Sequence, residues 1–225
     1  MRTAHTFRLI ELLVLFGAFP WWWRGAPMRE WGWGIWPPIF LGFAGCLVYL
    51  LLDKGFDRRE LWNAKGARMG MRWMLIRFAI GAALLTTATA LFEPELFLRL
   101  PRERTGLWIA ILCLYPIFSV YPQEVIFRAF FVRRYGDALR GLGGRWALVG
   151  AGAAAFGWAH VLFGPTTHAT IIAVALSTVG GVLFMTTFLR TRSTAAAAAE
   201  HALYGDLLFT VGLGWYFYSG NINAG

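Results

Sequence analysis

The sequence predicts an all-α fold: a polytopic transmembrane bundle of about seven helical spans, bounded by six and eight, with its N-terminus cytoplasmic. Three observations carry this expectation. The 225 residues are 58% hydrophobic, have a mean hydropathy of +0.54 and include 12 Trp and 19 Phe, more apolar surface than a soluble domain of that length uses in its core. The apolar residues gather into runs near the ~20 residues a helix needs to cross a hydrocarbon layer of about 30 Å. The basic residues, which set a net charge of +9, stand almost entirely between those runs, so the charge reports topology and gives no reason to expect a nucleic-acid partner.

The runs fall at about 7–23, 34–52, 73–98, 107–132, 146–164, 168–189 and 195–218. The first contains Glu11, lacks a small-residue cleavage site and reads as a retained span. The edges "PWWWRG" and "REWGWGIW" have the composition of interfacial aromatic belts. One set of connections carries Lys54, Arg58, Arg59, Lys65, Arg68 and Arg72, then Arg133, Arg134, Arg140 and Arg145, then Arg190 and Arg192. The opposite set carries only Arg24, Arg29, Arg102 and Arg104, with the uncharged "GPTT" and "SGNINAG". Positive charge collects on the cytoplasmic side, which puts the N-terminus in and supports an odd count. The loop from Asp53 to Arg72 reads as a short surface amphipathic helix, and Ser193 or Thr194 as the cap of an Ala-rich helix. Cys46 and Cys113 lie in apolar runs and read as buried free thiols. No repeat or linker divides the chain, so 1–225 reads as a single membrane domain.

Charge at membrane depth costs about 2.5 kcal/mol or more, which makes ionisable residues within spans functional candidates. Glu11, Arg77, Glu93 and Glu95 stand toward span ends, where snorkelling suffices. Gln123, Glu124, Arg128, His160, His168, Glu200, His201 and Asp206 all fall in the last four spans. Glu124 precedes Arg128 by one helical turn, the favourable order for an intrahelical ion pair. That pair alone is also what a purely structural, neutralised couple looks like. Phe156 lies one turn before His160 in "FGWAH", and His201 follows Glu200 in "EHALYGDLLF", with Gly205 one turn on. Two imidazoles and a carboxylate in three helices of one bundle describe activated-water hydrolysis: a carboxylate as general base, imidazoles to share its proton or to donate to an oxyanion. The same Glu124, His160 and His201 are a conceivable His₂Glu zinc set, although no His-Glu-x-x-His helix is present. A cofactor is therefore left open: none for a glutamic-type hydrolase, zinc otherwise.

The order "QEVIFRAFF", "FGWAH", "EHALYG" resembles the CPBP intramembrane protease family, which includes the CAAX prenyl endopeptidases. The resemblance runs from about Tyr115 to Tyr218 and makes 107–218 the expected catalytic core. It implies an endopeptidase that hydrolyses a peptide bond near the C-terminus of a membrane-anchored protein, in a plasma or bacterial inner membrane, with that substrate and the lipid bilayer as its partners. It implies that Glu124 and Arg128 match the second Glu and the Arg of a Glu-Glu-x-x-x-Arg motif, that Phe156 and His160 match Phe-x-x-x-His, and that His201 matches the last His. Glu124, His160 and His201 are then the catalytic set, with Gln123, Arg128, Phe156, Glu200, Gly205 and Asp206 in support. Two positions depart from the family pattern. Gln123 stands where the first Glu is found, and a carboxamide cannot take a proton; Gly205 stands where an oxyanion Asn is found. Glu124 is then expected as base, while Gln123 donates to the substrate carbonyl. The two alternatives are a catalytically inactive binding or immunity-type membrane protein and, with less support, an ion- or proton-coupled carrier, against which the lack of repeated halves counts.

At a rise of about 1.5 Å per residue, Glu124 and His201 lie within ~14 Å of the basic loops that flank them, but His160 lies over ~20 Å from Arg145. If the three meet, the fifth span must begin later than Arg145, for instance near Gly150 or Gly152, or be strongly tilted.

Overall fold

The computed structural model describes residues 2–26, 34–163 and 166–217. Among the described residues there is no strand, and each of the seven apolar runs falls on a helix. Helix α1 spans 2–24, α2 Trp36–Leu52, α3 Ala64–Phe92, the short α4 Arg99–Glu103, α5 105–142, α6 145–159, α7 Thr167–Thr191 and α8 Thr194–Val211. By length and composition, the helical runs Arg58–Phe92, Thr105–Leu162 and Thr167–Thr191 can cross a membrane, and the apolar α2 is shorter. The run Thr105–Leu162 contains two expected spans, because the chain reverses at Gly143 and at Gly144, whose φ of 65° suits glycine. The outer surface is apolar, with Leu84, Leu91, Phe92 and Ile117 exposed as lipid-facing side chains are. This is an all-α membrane bundle.

Two boundaries differ from the sequence expectation, each for a local reason. No separate surface helix forms over 53–72: a 3₁₀ turn at Arg58–Leu61 leads to Asn63, whose side chain accepts from Gly66 N (3.0 Å) and starts α3, which runs unbroken into the span. That helix stops at Phe92, before Pro94, since the residue preceding a proline is pushed out of helical geometry. Of the two thiols, Cys46 is partly buried and Cys113 faces outward. The cap of α8 is Ser193, which accepts from Ala196 N (3.2 Å).

The basic connections assemble on one face. Arg133 reaches Asp53 (2.7 Å), Arg192 pairs with Glu60, and Asn63 donates to Thr191 O (3.1 Å). At the other end Tyr216 donates to Glu93 (2.9 Å), and Arg24 donates to the Val161 carbonyl. Arg29, "GPTT" in part and "SGNINAG", with Trp31 and Trp33 of the second aromatic edge, lie outside the described residues.

Residues 133–142, expected as loop, are helical, and α5 runs on past the level of the basic loops before it turns. A Cβ at Gly152 would lie 3.4 Å from Phe131, so Phe131 in α5 is level with Gly152 in α6. Glu124 is then about 10 Å of helix above that level and His160 about 12 Å, which resolves the mismatch in depth. Helix α6 begins at residue 145, so it does not start later than Arg145 as one branch of the depth argument required; the helical continuation of α5 beyond Arg133 makes up the difference.

Helices α6 and α7 touch through backbone. A Cβ on Gly181 would come within 2.8 Å of Ala153 Cα, and one on Gly157 within 3.0 Å of Thr178 Cα, the close approach that small residues allow between membrane helices. Gly181→Ala is expected to lower bundle stability by about 1–3 kcal/mol through overpacking. Gly150, with nothing within 4 Å of its Cβ position, serves as control: Gly150→Ala should be neutral or slightly stabilising. Thermal unfolding in detergent micelles checks both, and equal effects would refute the contact.

Candidate active site

The polar residues of "YPQE" sit between two widened helical stretches, Pro116–Val120 and Val125–Phe130, where the chain takes π-helical hydrogen bonding. Pro122 supplies no N–H to the ladder, so local loosening costs little there, and such bulges recur at functional sites. The result turns Gln123, Glu124 and Arg128 all inward, and all three are buried.

Glu124 is 0% exposed. Its Oε1 accepts from His201 Nδ1 (3.0 Å), and its Oε2 lies 3.0 Å from Arg128 Nε, a charge contact without an aligned hydrogen bond. Arg128, also 0% exposed, donates from Nη1 to the Phe127 carbonyl (3.0 Å) and lays its guanidinium over the rings of Phe156 (4.8 Å) and Phe184 (5.7 Å). A buried pair stands only with such support, because each ion loses several kcal/mol of solvation.

Both histidines have their tautomers fixed by neighbours. His160 Nδ1 lies 2.8 Å from the Phe156 carbonyl, which can only accept, so Nδ1 carries the hydrogen and Nε2 carries the lone pair. His201 Nδ1 donates to Glu124 Oε1 in the same way, so its Nε2 accepts the hydroxyl hydrogen of Tyr115 (3.1 Å). The two imidazoles flank Phe156, whose ring centroid is 4.7 Å from that of His160 and 5.3 Å from that of His201. Phe184 stacks on His201 at 4.6 Å and 13°.

Two cavities meet this cluster. One of about 260 Å³ is lined by Tyr115, Phe156, His160, Ser177, His201 and Gly205 among others. A second, of about 420 Å³, lies among α1, α2, α5 and α6 and is lined by Trp23, Ile39, Phe127 and Leu162, with Gln123 and His160 as its polar residues. His160 borders both. Glu124 lines neither, and among the described residues no carboxylate lines either cavity. Gln123 donates to Ser119 Oγ (2.8 Å).

The remaining sequence candidates are distributed around this centre. Glu200 is bound by Arg77 (2.6 Å) and Thr187 (2.5 Å), so Arg77 does not snorkel as expected but closes a second buried pair beside the first. Glu11 likewise accepts from Arg134 (2.6 Å) and Tyr135 (2.8 Å), fastening α1 to α5. Asp206 points a buried oxygen at no partner among the described residues. His168 is exposed beside Tyr216, away from the cluster. Sequence reasoning missed Tyr115, because one phenol at the end of an apolar run carries no signal of its own. Among the described residues, no three His, Cys, Asp or Glu side chains converge as metal ligands. The conditional set Glu124, His160 and His201 does not fit a zinc ion, since Glu124 takes His201 by the nitrogen opposite to the one that borders Tyr115.

Residues 104–205 match the family model described as type II CAAX prenyl endopeptidase Rce1-like. That segment is similar to the Rce1-like family. It contains the whole cluster from Tyr115 to Gly205 and agrees with the CPBP resemblance of the three motifs. No curated protein and no solved structure matches the chain. Within the Rce1-like segment, the departure at Gly205 has a structural counterpart: a Cβ there would lie 2.6 Å from the Tyr115 hydroxyl, so the glycine makes room for the phenol.

Proposed function

We propose that this chain is an intramembrane endopeptidase that hydrolyses a peptide bond near the C-terminus of a membrane-anchored protein, in a bacterial inner membrane with its basic loops cytoplasmic. The observation that carries the reading is the pair of imidazoles, His160 and His201, bordering one apolar cavity, the second of them backed by the buried Glu124–Arg128 couple.

His160 Nε2 and, once the Tyr115 hydroxyl turns away from it, His201 Nε2 are acceptors in the tautomers described, and water, with two O–H groups, can donate to such acceptors. A water so held presents an oxygen lone pair to a substrate carbonyl. As its oxygen bonds to the carbonyl carbon, one proton passes to His201 Nε2, and Glu124 at Nδ1 stabilises the imidazolium. The basicity of Glu124 thus reaches the cavity through the ring, although the carboxylate itself is sealed. The imidazolium then returns the proton to the leaving amine as the C–N bond breaks. The family description makes an S-farnesylated CAAX peptide the first probe. In proteoliposomes, Glu124→Gln and His201→Ala are each expected to lower its cleavage by at least about 100-fold, and unchanged cleavage by either variant, properly inserted, would refute the proposal.

A second reading, a catalytically silent binding or immunity-type protein, draws on one specific observation: among the described residues the polar wall of both cavities lacks a carboxylate, and Gln123 occupies the position bordering the larger one. It predicts wild-type binding of the same peptide with no cleavage.

A further inference from the structure

The smaller cavity has apolar walls, and hydrolysis of an amide generates an oxyanion that such walls do not stabilise. Its hydroxyl donors are therefore informative. Tyr204 is engaged, donating to the Arg77 carbonyl (2.9 Å). Ser177 borders the cavity from α7. Tyr115 borders it from α5 with its hydroxyl 3.1 Å from His201 Nε2, the atom that must be free to take a proton from water. The ring is held edge-on by Phe209 (5.5 Å) and lies against Gly205, where a Cβ would come within 2.4 Å of it.

We infer that Tyr115 is a further catalytic residue of this site, donating its phenolic hydrogen to the carbonyl oxygen of the scissile bond, with Gly205 as the position that admits it. This rests on the endopeptidase reading above. Without substrate, the O–H group caps His201 Nε2. A substrate carbonyl entering beside the phenol draws the hydrogen away by rotation about the C–O bond alone, and the oxygen need not move. That rotation frees Nε2 for water at the moment when a carbonyl is present to be attacked. When water oxygen bonds to the carbonyl carbon, the C=O π pair moves onto oxygen, and the phenol stabilises that charge without giving up its proton. The pair returns to re-form C=O as the C–N bond breaks, and the amine leaves with the proton that His201 had taken. A preorganised donor of this kind stabilises the transition state more than the bound substrate.

The test uses the full-length protein in proteoliposomes with the farnesylated CAAX peptide, and ¹⁵N-imidazole NMR in micelles. Tyr115→Phe, which removes one oxygen atom, is expected to lower kcat by about 10²–10³-fold with KM changed little. Gly205→Ala should cause a similar fall in the wild-type background and little further fall in Tyr115→Phe, because both act by removing the same donor. Ser177→Ala should leave kcat within a few-fold. In the NMR arm, the His201 Nε2 resonance of the substrate-free protein should be that of an unprotonated acceptor and should move in Tyr115→Phe but not in Ser177→Ala. Unchanged kcat in Tyr115→Phe, alongside loss of activity in His201→Ala, overturns the role of Tyr115 and leaves the endopeptidase reading standing. Loss in Ser177→Ala instead assigns the donor to α7 and also overturns it. Absence of cleavage by the wild type sinks the endopeptidase reading and this role with it.

Discussion

Arg128→Met is expected to destabilise the bundle by about 3–5 kcal/mol, the cost of stranding a buried charge. Arg128 and Glu124 are both 0% exposed, at a contact of 3.0 Å, and among the described residues no other cation touches the Glu124 side chain apart from what His201 can supply. Removing the guanidinium also strips the faces of Phe156 and Phe184 of their cation, but methionine refills most of that volume, so charge and not packing dominates the loss. The double variant Arg128→Met/Glu124→Gln tests that assignment. It removes both charges while Gln can still accept from His201 Nδ1, and replacing a buried pair with neutral groups is commonly tolerated. Stability should therefore recover most of the loss, and peptide cleavage should not, because the carboxylate that stabilises the His201 imidazolium is gone. Midpoints of thermal unfolding in micelles, read beside cleavage in proteoliposomes, separate the two roles. Recovery of both would make Glu124 a structural partner only.

The same residues explain why so much of the site was legible in the sequence. An apolar span makes every polar residue conspicuous, so Glu124, Arg128, His160, Glu200 and His201 could be singled out by solvation cost alone, and the spacing of Glu124 and Arg128 gave their pairing directly. The mutual depth of α5 and α6 was accessible as a mismatch but its resolution was not: α6 starts at residue 145, and α5 continues as helix through 133–142. What could not be read were contacts between helices distant in sequence. Arg77 looked like a snorkelling residue because its partner, Glu200, is in α8. Glu11 looked like a headgroup contact because Arg134 and Tyr135 are in α5. The extension of α5 through 133–142 depends on those same long-range pairs, which satisfy Arg133 and Arg134 while the segment remains helical. Tyr115 and Gly205 are complementary in shape, and neither means anything without the other.

His160→Ala is the variant that weighs chemistry against architecture, and cleavage is expected to fall by about 10²–10⁴-fold while the bundle stays folded. The residue stands at the end of α6, where the chain leaves the helix through the 3₁₀ turn His160–Leu162, so its own backbone bonds are not part of a central helix ladder. Its side chain makes a single hydrogen bond to the Phe156 carbonyl one turn back, and that carbonyl can bond water in the enlarged space. The ring otherwise stacks on Phe163 (5.0 Å) and meets Phe156. Its removal would join the cavities of about 260 and 420 Å³. Water would enter more freely, so a loss of cleavage could not come from excluding it. His160→Gln offers the complementary control: the carboxamide oxygen can still accept a hydrogen bond from the water whose proton passes to His201, so binding of the farnesylated peptide should persist and cleavage should fall less than in His160→Ala. Cleavage retained in both variants would remove His160 from the chemistry and leave it as a wall between two apolar spaces.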